Sequence, residues 1–345
     1  MTVRVAVIGA GVMGADHASI IAHDISDARL QVLCDASEAR ARAVGETCEA
    51  KDIATDPLAT ITRKDVDAVL IASPDETHAD FAITAIEAGK PVLCEKPLAP
   101  TSADCLKVVK AEIKTGQKLL QTGFMRRFDR SYTELKAALD SGVLGPALMM
   151  HNFHRNLVAP DWLTAPMVIT NSAPHEFDIA HFVLGEEYRS ITAFQGARMG
   201  AIAPVVMVLE TAAGKLVTIE VNNNAAYGYD VRGELVGEEG SVDLTTPVHS
   251  RQNLALMSSQ SFSEDWRPRF ADAYRLQNKA WVCSIQVGRP DTTAADAWDG
   301  YRASVVAEAG VAALETGARA MVELAEMPSL YANGGEEQIP EVTAK

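Results

Sequence analysis

The first third of the chain alternates short, almost unbroken apolar runs with amphipathic stretches. VRVAVIG (3–9), LQVLCDA (30–36), DAVLIAS (67–73), KPVLCEK (90–96) and KLLQTGF (118–124) are the apolar runs, and runs without polar alternation are characteristic of strands buried on both faces. Between them, 76–88 and 102–115 have helical character, the second opening with Thr101 and Ser102 as capping candidates. Strand and helix in regular succession predict a doubly wound parallel sheet, an α/β domain of the Rossmann type.

Beyond about residue 124 the period changes. In KLVTIEV, Val217, Ile219 and Val221 fall on one face and Thr218 and Glu220 on the other. Turn signals at Ala213-Gly214 and Glu239-Gly240 join SITAFQGAR, PVVMVLETAAGKLVTIEVNNN and YDVRGELVGEEGSVDLTT into a meander. The expectation is an α+β domain with an open, mainly antiparallel sheet covered by helices that include 266–286 and 294–317. This divides the chain into 1–123 and 124–345, with NGGEEQIPEVTAK at the end reading as a loose tail. No internal repeat or low-complexity segment interrupts it.

Composition narrows the function. At 345 residues, 48% hydrophobic and 22% charged, the chain is ordinary globular material for two domains. A net charge of -15, spread over both halves, leaves no basic face for nucleic acid or an anionic membrane. No apolar stretch approaches the roughly 20 residues of a membrane span, and the glycine-broken N-terminal run leads into Asp16 and His17 rather than a signal-cleavage site. Five cysteines without a CxxC pair argue against a disulfide framework and a zinc ribbon, and so for a reducing, cytoplasmic setting.

Chemistry enters with VIGAGVMG. Gly9, Gly11 and Gly14 have G-x-G-x-x-G spacing between a strand and a helix, where each glycine permits a tight turn, an approach to pyrophosphate, or close helix packing. Asp35 ends the second strand 21 residues past Gly14 and can bind the adenosine ribose hydroxyls. It would repel a 2′-phosphate, which favours NAD over NADP, although Arg40 lies close by in sequence. Val12 and Met13 belong to the same turn.

ASPDETH and CEKPL fall at carboxyl ends of parallel strands, where open α/β sheets bind ligands. Ser73, Pro74, His78 and Glu95 are therefore candidate cofactor contacts, or else Pro74 merely ends a strand and His78 is an exposed helix residue. Lys96, between Glu95 and Pro97, can be held rigidly and stabilise a developing alkoxide, or it is a surface lysine beside a turn.

A G-x-G-x-x-G start, an EKP after a later strand and an H-x-x-D helix together resemble the Gfo/Idh/MocA family of NAD(P)-dependent sugar and polyol dehydrogenases. GFMRRFDRSY (123–132), HNFHRN (151–156), HEFDIAH (175–181), YGYDVRGELVGEEG (227–240), DWRPRFADAY (265–274) and AWDGY (297–301) carry the likeness through both domains, towards members that oxidise inositol. The resemblance implies a Rossmann domain, a second domain on an open antiparallel sheet, homotetramers formed by that sheet, and NAD-dependent oxidation of a cyclic polyol, myo-inositol first, to its ketone.

It also implies roles. His175 takes the place of the general base, for which imidazole is well matched near neutral pH; read alone, it could simply begin a buried helix after Pro174. Asp178, one helical turn on, would bind a substrate hydroxyl or orient the base. Inositol-oxidising members carry an aspartate four residues before the histidine where this chain has Asn171, which can orient the imidazole without supplying charge. Arg126, His154, Asn156 and Tyr229, with Lys96 and Asp178, form the implied substrate set; alternatively Arg126 and Arg127 are a solvated pair, and Tyr227 and Tyr229 strand core. His151 and His154, three apart in a strand, face opposite ways, so no metal site is expected. A different class of function on the same scaffold is a non-catalytic NAD-dependent sensor.

Overall fold

The computed structural model describes residues 2–197, 200–245 and 250–332; the tail expected at 333–345 lies outside the described residues. Six strands, β1 (Val3–Ile8), β2 (Ala28–Cys34), β3 (Asp52–Ala54), β4 (Ala68–Ile71), β5 (Val92–Cys94) and β6 (Leu120–Thr122), form a sheet in the order β3-β2-β1-β4-β5-β6. Every pairing is parallel. Helices α1 (Val12–His23), α2 (Glu38–Thr47), α3 (Pro57–Ile61), α4 (Asp75–Glu87) and α5 (Ser102–Thr115) make the crossovers. The register pairs Ile8 with both Cys34 and Ile71, and Ile71 with Cys94. The segments that follow, carrying Gly9, Asp35, Ser73 and Glu95-Lys96, thus emerge side by side at one edge. Only β3 escapes the apolar-run criterion, because its three residues form a half-exposed sheet edge.

A 3-10 turn (Met125–Phe128) and α6 (Arg130–Asp140) lead into the second sheet. Its seven strands are β7 (Ala147–Arg155), β8 (Tyr188–Gln195), β9 (Val205–Thr211), β10 (Leu216–Asn222), β11 (Asp230–Gly237), β12 (Ser241–Asp243) and, past a separate hairpin of β13 (Gln252–Leu254) with β14 (Met257–Ser259), β15 (Ala320–Met321). The order is β12-β11-β7-β10-β9-β8-β15. The turns at 213–214 and 239–240 close antiparallel hairpins, and Val217, Ile219 and Val221 are fully buried. The meander is nevertheless interrupted: β7 inserts between β10 and β11, parallel to the first and antiparallel to the second.

Covering helices are α7 (Ala165–Met167), a π-helical turn (Val168–Ser172), α8 (Pro174–Leu184), α9 (Arg267–Val287), α10 (Ala297–Thr316) and α11 (Ser329–Ala332). Helix α10 opens with a reciprocal Asp296–Asp299 capping box and packs on α5 in the first domain and on β8 and α8 in the second. Its Trp298 and Tyr301, with Tyr331 of α11, join the hydrophobic cluster of the first domain. Among the described residues no helix is long and apolar enough to cross a membrane.

Candidate active site

The glycine turn has the shape of a dinucleotide cradle. Gly9 has φ +102°, and a β-carbon there would stand 2.4 Å from the Ala72 carbonyl oxygen; one on Gly14 would stand 1.9 Å from the carbonyl oxygen of Gly9. These two glycines let strand and helix close on each other. At Gly11 a β-carbon would meet nothing within 4 Å, which is open space in front of the backbone. Helix α1 begins there without a side-chain cap, so its first-turn N–H groups are available to an anion. Val12 is exposed at the turn, and Met13 lines the adjoining cavity. The Asp35 carboxylate accepts the N–H of Ala10 and of Ser37, each at 2.8 Å, with Arg40 Nη1 3.6 Å away. Asp35 therefore fixes the glycine turn as well as ending β2, and the set fits a dinucleotide with free ribose hydroxyls.

A cavity of about 320 Å³ opens beside this cradle, between the ends of β4 and β5 and the elements of the second domain. Ser73, His78, Glu95 and Lys96 face it from the first domain; His154, Asn156, Asn171, His175 and Tyr229 face it from the second. Lys96 Nζ donates to the Asn171 carbonyl oxygen at 3.1 Å, which ties the EKP segment to the π-helical turn. Burial lowers the pKa of the Lys96 ammonium, against the opposing charges of Glu95 and Asp75. The cation is thus costly enough to favour partners that bear negative charge.

His175 stands in the first turn of α8, 8% exposed, with the Phe124 ring edge-on at 6.1 Å. Its pKa is pushed well below the usual imidazole value by burial and then by the cations of Arg126 and Lys96 and by His154. A ring held neutral can accept a proton at physiological pH. Nδ1 is buried without a hydrogen-bond partner among the described residues. Asn171, expected to orient this ring, lines the same cavity, and its backbone carbonyl in the π-helical turn accepts from Lys96.

Other expectations change as well. Asp178 does not reach the cavity. Arg127 binds its carboxylate through Nε and Nη2, the shortest contact being 2.6 Å, and Arg127 also pairs with Asp299 at 3.1 Å. Nor are Arg126 and Arg127 a solvated pair, since both are buried. Arg126 lies behind the cavity wall, ion-paired to Glu176 and stacked over Phe270 at 5.3 Å. His78 is buried rather than exposed, and its nitrogens lie 2.7 Å from the Pro97 carbonyl and 2.9 Å from that of Ser73. It braces the two strand-end segments against each other. Pro74 is the N-cap of α4. Tyr229 is buried at the cavity wall, edge-on to His154 at 6.0 Å.

The sequence pattern missed Glu176, Ser172, Asp75, Trp266 and Tyr274, all close to these groups. Glu176 adjoins His175, and a glutamate on a helix reads by default as a solvated charge. Trp266 and Tyr274 lie eight apart at and beyond the start of α9, a spacing that returns both to one face. Among the described residues no group of three His, Cys, Asp or Glu side chains could hold a metal ion. His151 bonds Thr218 Oγ1 at 2.7 Å on the face of β7 opposite His154.

A glycine-turn cradle, a lysine and a neutral histidine meeting in one cavity, and a second domain that closes it define a nicotinamide-dependent oxidoreductase. Residues 3–124 match the oxidoreductase family with an NAD-binding Rossmann fold, and residues 132–243 match the GFO/IDH/MocA C-terminal domain; the chain belongs to this family. Inositol 2-dehydrogenase 2 of Saccharopolyspora erythraea is 46% identical over 337 residues, covering 96% of this chain and 99% of that one. Inositol 2-dehydrogenase 1 of the same organism is also 46% identical, over 339 residues, with the same coverage. The crystal structure of myo-inositol dehydrogenase from Lactobacillus casei in complex with NAD(H) and myo-inositol superposes with a TM-score of 0.91 at 27% identity, covering 96% of this chain and all of that one (100%).

Proposed function

We propose that the chain oxidises myo-inositol at carbon 2 to the 2-ketone, with NAD as the oxidant. The observation that carries this reading is the convergence of Lys96 and His175 on one cavity beside the glycine-turn cradle; the relatives named inositol 2-dehydrogenase support the choice of substrate. His175, neutral at physiological pH, takes the hydroxyl proton. Lys96, anchored on Asn171, donates a hydrogen bond to the carbinol oxygen as charge develops on it. NAD, when bound, takes up the hydride that leaves the carbon. His154, Asn156 and Tyr229 supply the polar wall that a ring of hydroxyls requires.

The same reading places the protein in a reducing cytoplasm, which suits its five unpaired cysteines. It also makes the assembly a homotetramer through the outer face of the large sheet, where Phe194, Val206 and Leu216 are exposed.

The test is NADH formation with NAD and with NADP, across myo-, scyllo- and chiro-inositol and common pyranoses, on the parent and on His175→Ala. Efficient NAD-linked oxidation of myo-inositol is expected, with turnover in the variant lower by roughly 10²- to 10⁴-fold and NAD binding retained. Activity confined to a pyranose would remove the substrate assignment, and full turnover in His175→Ala would remove the base.

A further inference from the structure

Three elements meet at His17, a fully buried residue on α1 three positions past Gly14. Its Nε2 lies 2.9 Å from Glu95 Oε1. Its Nδ1 lies 2.9 Å from Nδ2 and 3.2 Å from Oδ1 of Asn278, which is itself fully buried on α9. Tyr274, also on α9, stands edge-on to the ring at 5.6 Å. The other oxygen of Glu95 accepts the backbone N–H of Lys96 at 3.2 Å. One carboxylate therefore joins His17 to the reactive lysine segment.

A purely space-filling position would not call for a buried imidazole, a buried amide and a buried carboxylate in series, since each costs free energy unless satisfied. Both Asn278 amide atoms are within reach of Nδ1, so the amide can donate to a neutral ring or accept from a charged one. In either state Nε2–H is left to donate to Glu95. Gly123 leaves the room the carboxylate occupies, since a β-carbon there would stand 3.0 Å from Glu95 Oε1.

We infer that His17 is a positioning residue, which, with Asn278 behind it, holds the Glu95 carboxylate in place beside Lys96 and so supports the positive charge of that lysine at the reacting oxygen. The inference rests on the proposed role of Lys96. Through α1 it couples the dinucleotide-binding turn, the lysine and the second domain in one buried chain. Glu95 opposes the effect of burial on the Lys96 ammonium, and a carboxylate held at a fixed place keeps that opposition. The other groups facing Lys96 are Asp75 from α4, Arg126 from the 3-10 turn, and His175 and Glu176 from α8. Those facing His17, besides Glu95, are Asp16 and Tyr274.

The test compares the parent with His17→Phe, which keeps the ring and loses the donor, and with His17→Gln, whose amide can donate to Glu95. Two readouts are taken: the pH profile of kcat for polyol oxidation, and the pH dependence of Lys96 acetylation by acetic anhydride, followed by peptide mass spectrometry and independent of turnover. In His17→Phe the alkaline limb and the Lys96 titration should both move down by roughly one pH unit or more, and His17→Gln should restore most of the shift. A Lys96 titration unmoved in both variants overturns the inference, whatever happens to kcat. Should His17→Phe not fold, Glu95→Gln takes its place, and an unmoved Lys96 there overturns it equally. A parent inactive on every polyol, combined with a displaced Lys96 titration in His17→Phe, removes the proposed function and upholds the coupling.

Discussion

Glu176 follows His175 in the chain, yet its carboxylate serves His154, whose Nδ1 lies 3.2 Å from Oε2. The Asn156 amide nitrogen lies 3.4 Å from His154 Nε2. Both contacts agree on one tautomer, with Nδ1–H donating to Glu176 and Nε2 accepting from Asn156. The two cavity histidines are thus divided: His154 is fixed by a carboxylate and an amide, and among the described residues His175 Nδ1 has no hydrogen-bond partner.

This division rests on the buried Arg126–Glu176 pair. Burial would raise the Glu176 carboxyl, but Arg126 and His154 overcome it and hold the group at about 2. Glu176→Gln keeps the shape, removes the charge and leaves Arg126 uncompensated, so it should cost about 3–5 kcal/mol of stability. Urea unfolding of the protein without cofactor reads this. A midpoint equal to that of the parent would mean that the pair carries no such charge.

At position 171 the chain offers a neutral amide. Supplying the missing charge with Asn171→Asp should raise the depressed His175 pKa and move the acidic limb of kcat/KM to higher pH by roughly one unit or more. The sign follows from the base being active only when unprotonated. Since Lys96 binds the backbone carbonyl of residue 171, its anchoring should survive. An unmoved acidic limb would show that the side chain at 171 does not communicate with His175.

Asp35 has two duties, to the Ala10 and Ser37 N–H groups and to the ribose. Asp35→Ser removes the charge that repels a 2′-phosphate and one of the two backbone acceptors. The ratio of kcat/KM for NAD over that for NADP should therefore narrow by at least about tenfold. A simultaneous loss of stability of roughly 1–2 kcal/mol is expected from the unpaired turn. Steady-state kinetics with both cofactors decides it, and an unchanged ratio would deny Asp35 any part in reading the ribose.

Away from the cavity, Glu112 of α5 is fully buried and accepts the N–H groups of Leu119 and Leu120 and the hydroxyl of Tyr331 from α11. Burial pushes its carboxyl up to about 7, against the opposing hydrogen bonds, from an ordinary 4.5. A folded-state pKa raised above the unfolded value contributes stability that is full below about 4.5 and lost as pH rises through about 7. Glu112→Gln, which mimics the protonated acid, should flatten the dependence of melting temperature on pH across that window. A slope equal to that of the parent would contradict it.

What the sequence made legible was whatever local spacing encodes. Gly9, Gly11 and Gly14 announce a turn by their spacing, only glycine fitting at 9 and 14, and Asp35 and Lys96 follow from their places at strand ends. His175 was legible as a helix-start histidine in a family pattern. The family pattern points Asp178 at substrate, and residues three apart on a helix are neighbours, but it is Arg127, 51 positions away, that decides where its carboxylate goes. His17 and Glu176 were invisible for the same reason, their partners lying 78 and 22 positions distant. The central place of β7 was hidden too: its inward residues include Asn152 and His154, which blur the apolar alternation that marks a core strand.

The most direct test of the account is oxidation of myo-inositol carrying deuterium at carbon 2, followed by mass spectrometry of the reduced cofactor. Transfer of that deuterium into NADH, with a deuterium-free inosose as the other product, is the predicted result. NADH without deuterium, or deuterium retained in the oxidised inositol, would contradict hydride abstraction from carbon 2 and with it the placement of Lys96 and His175 at that carbinol.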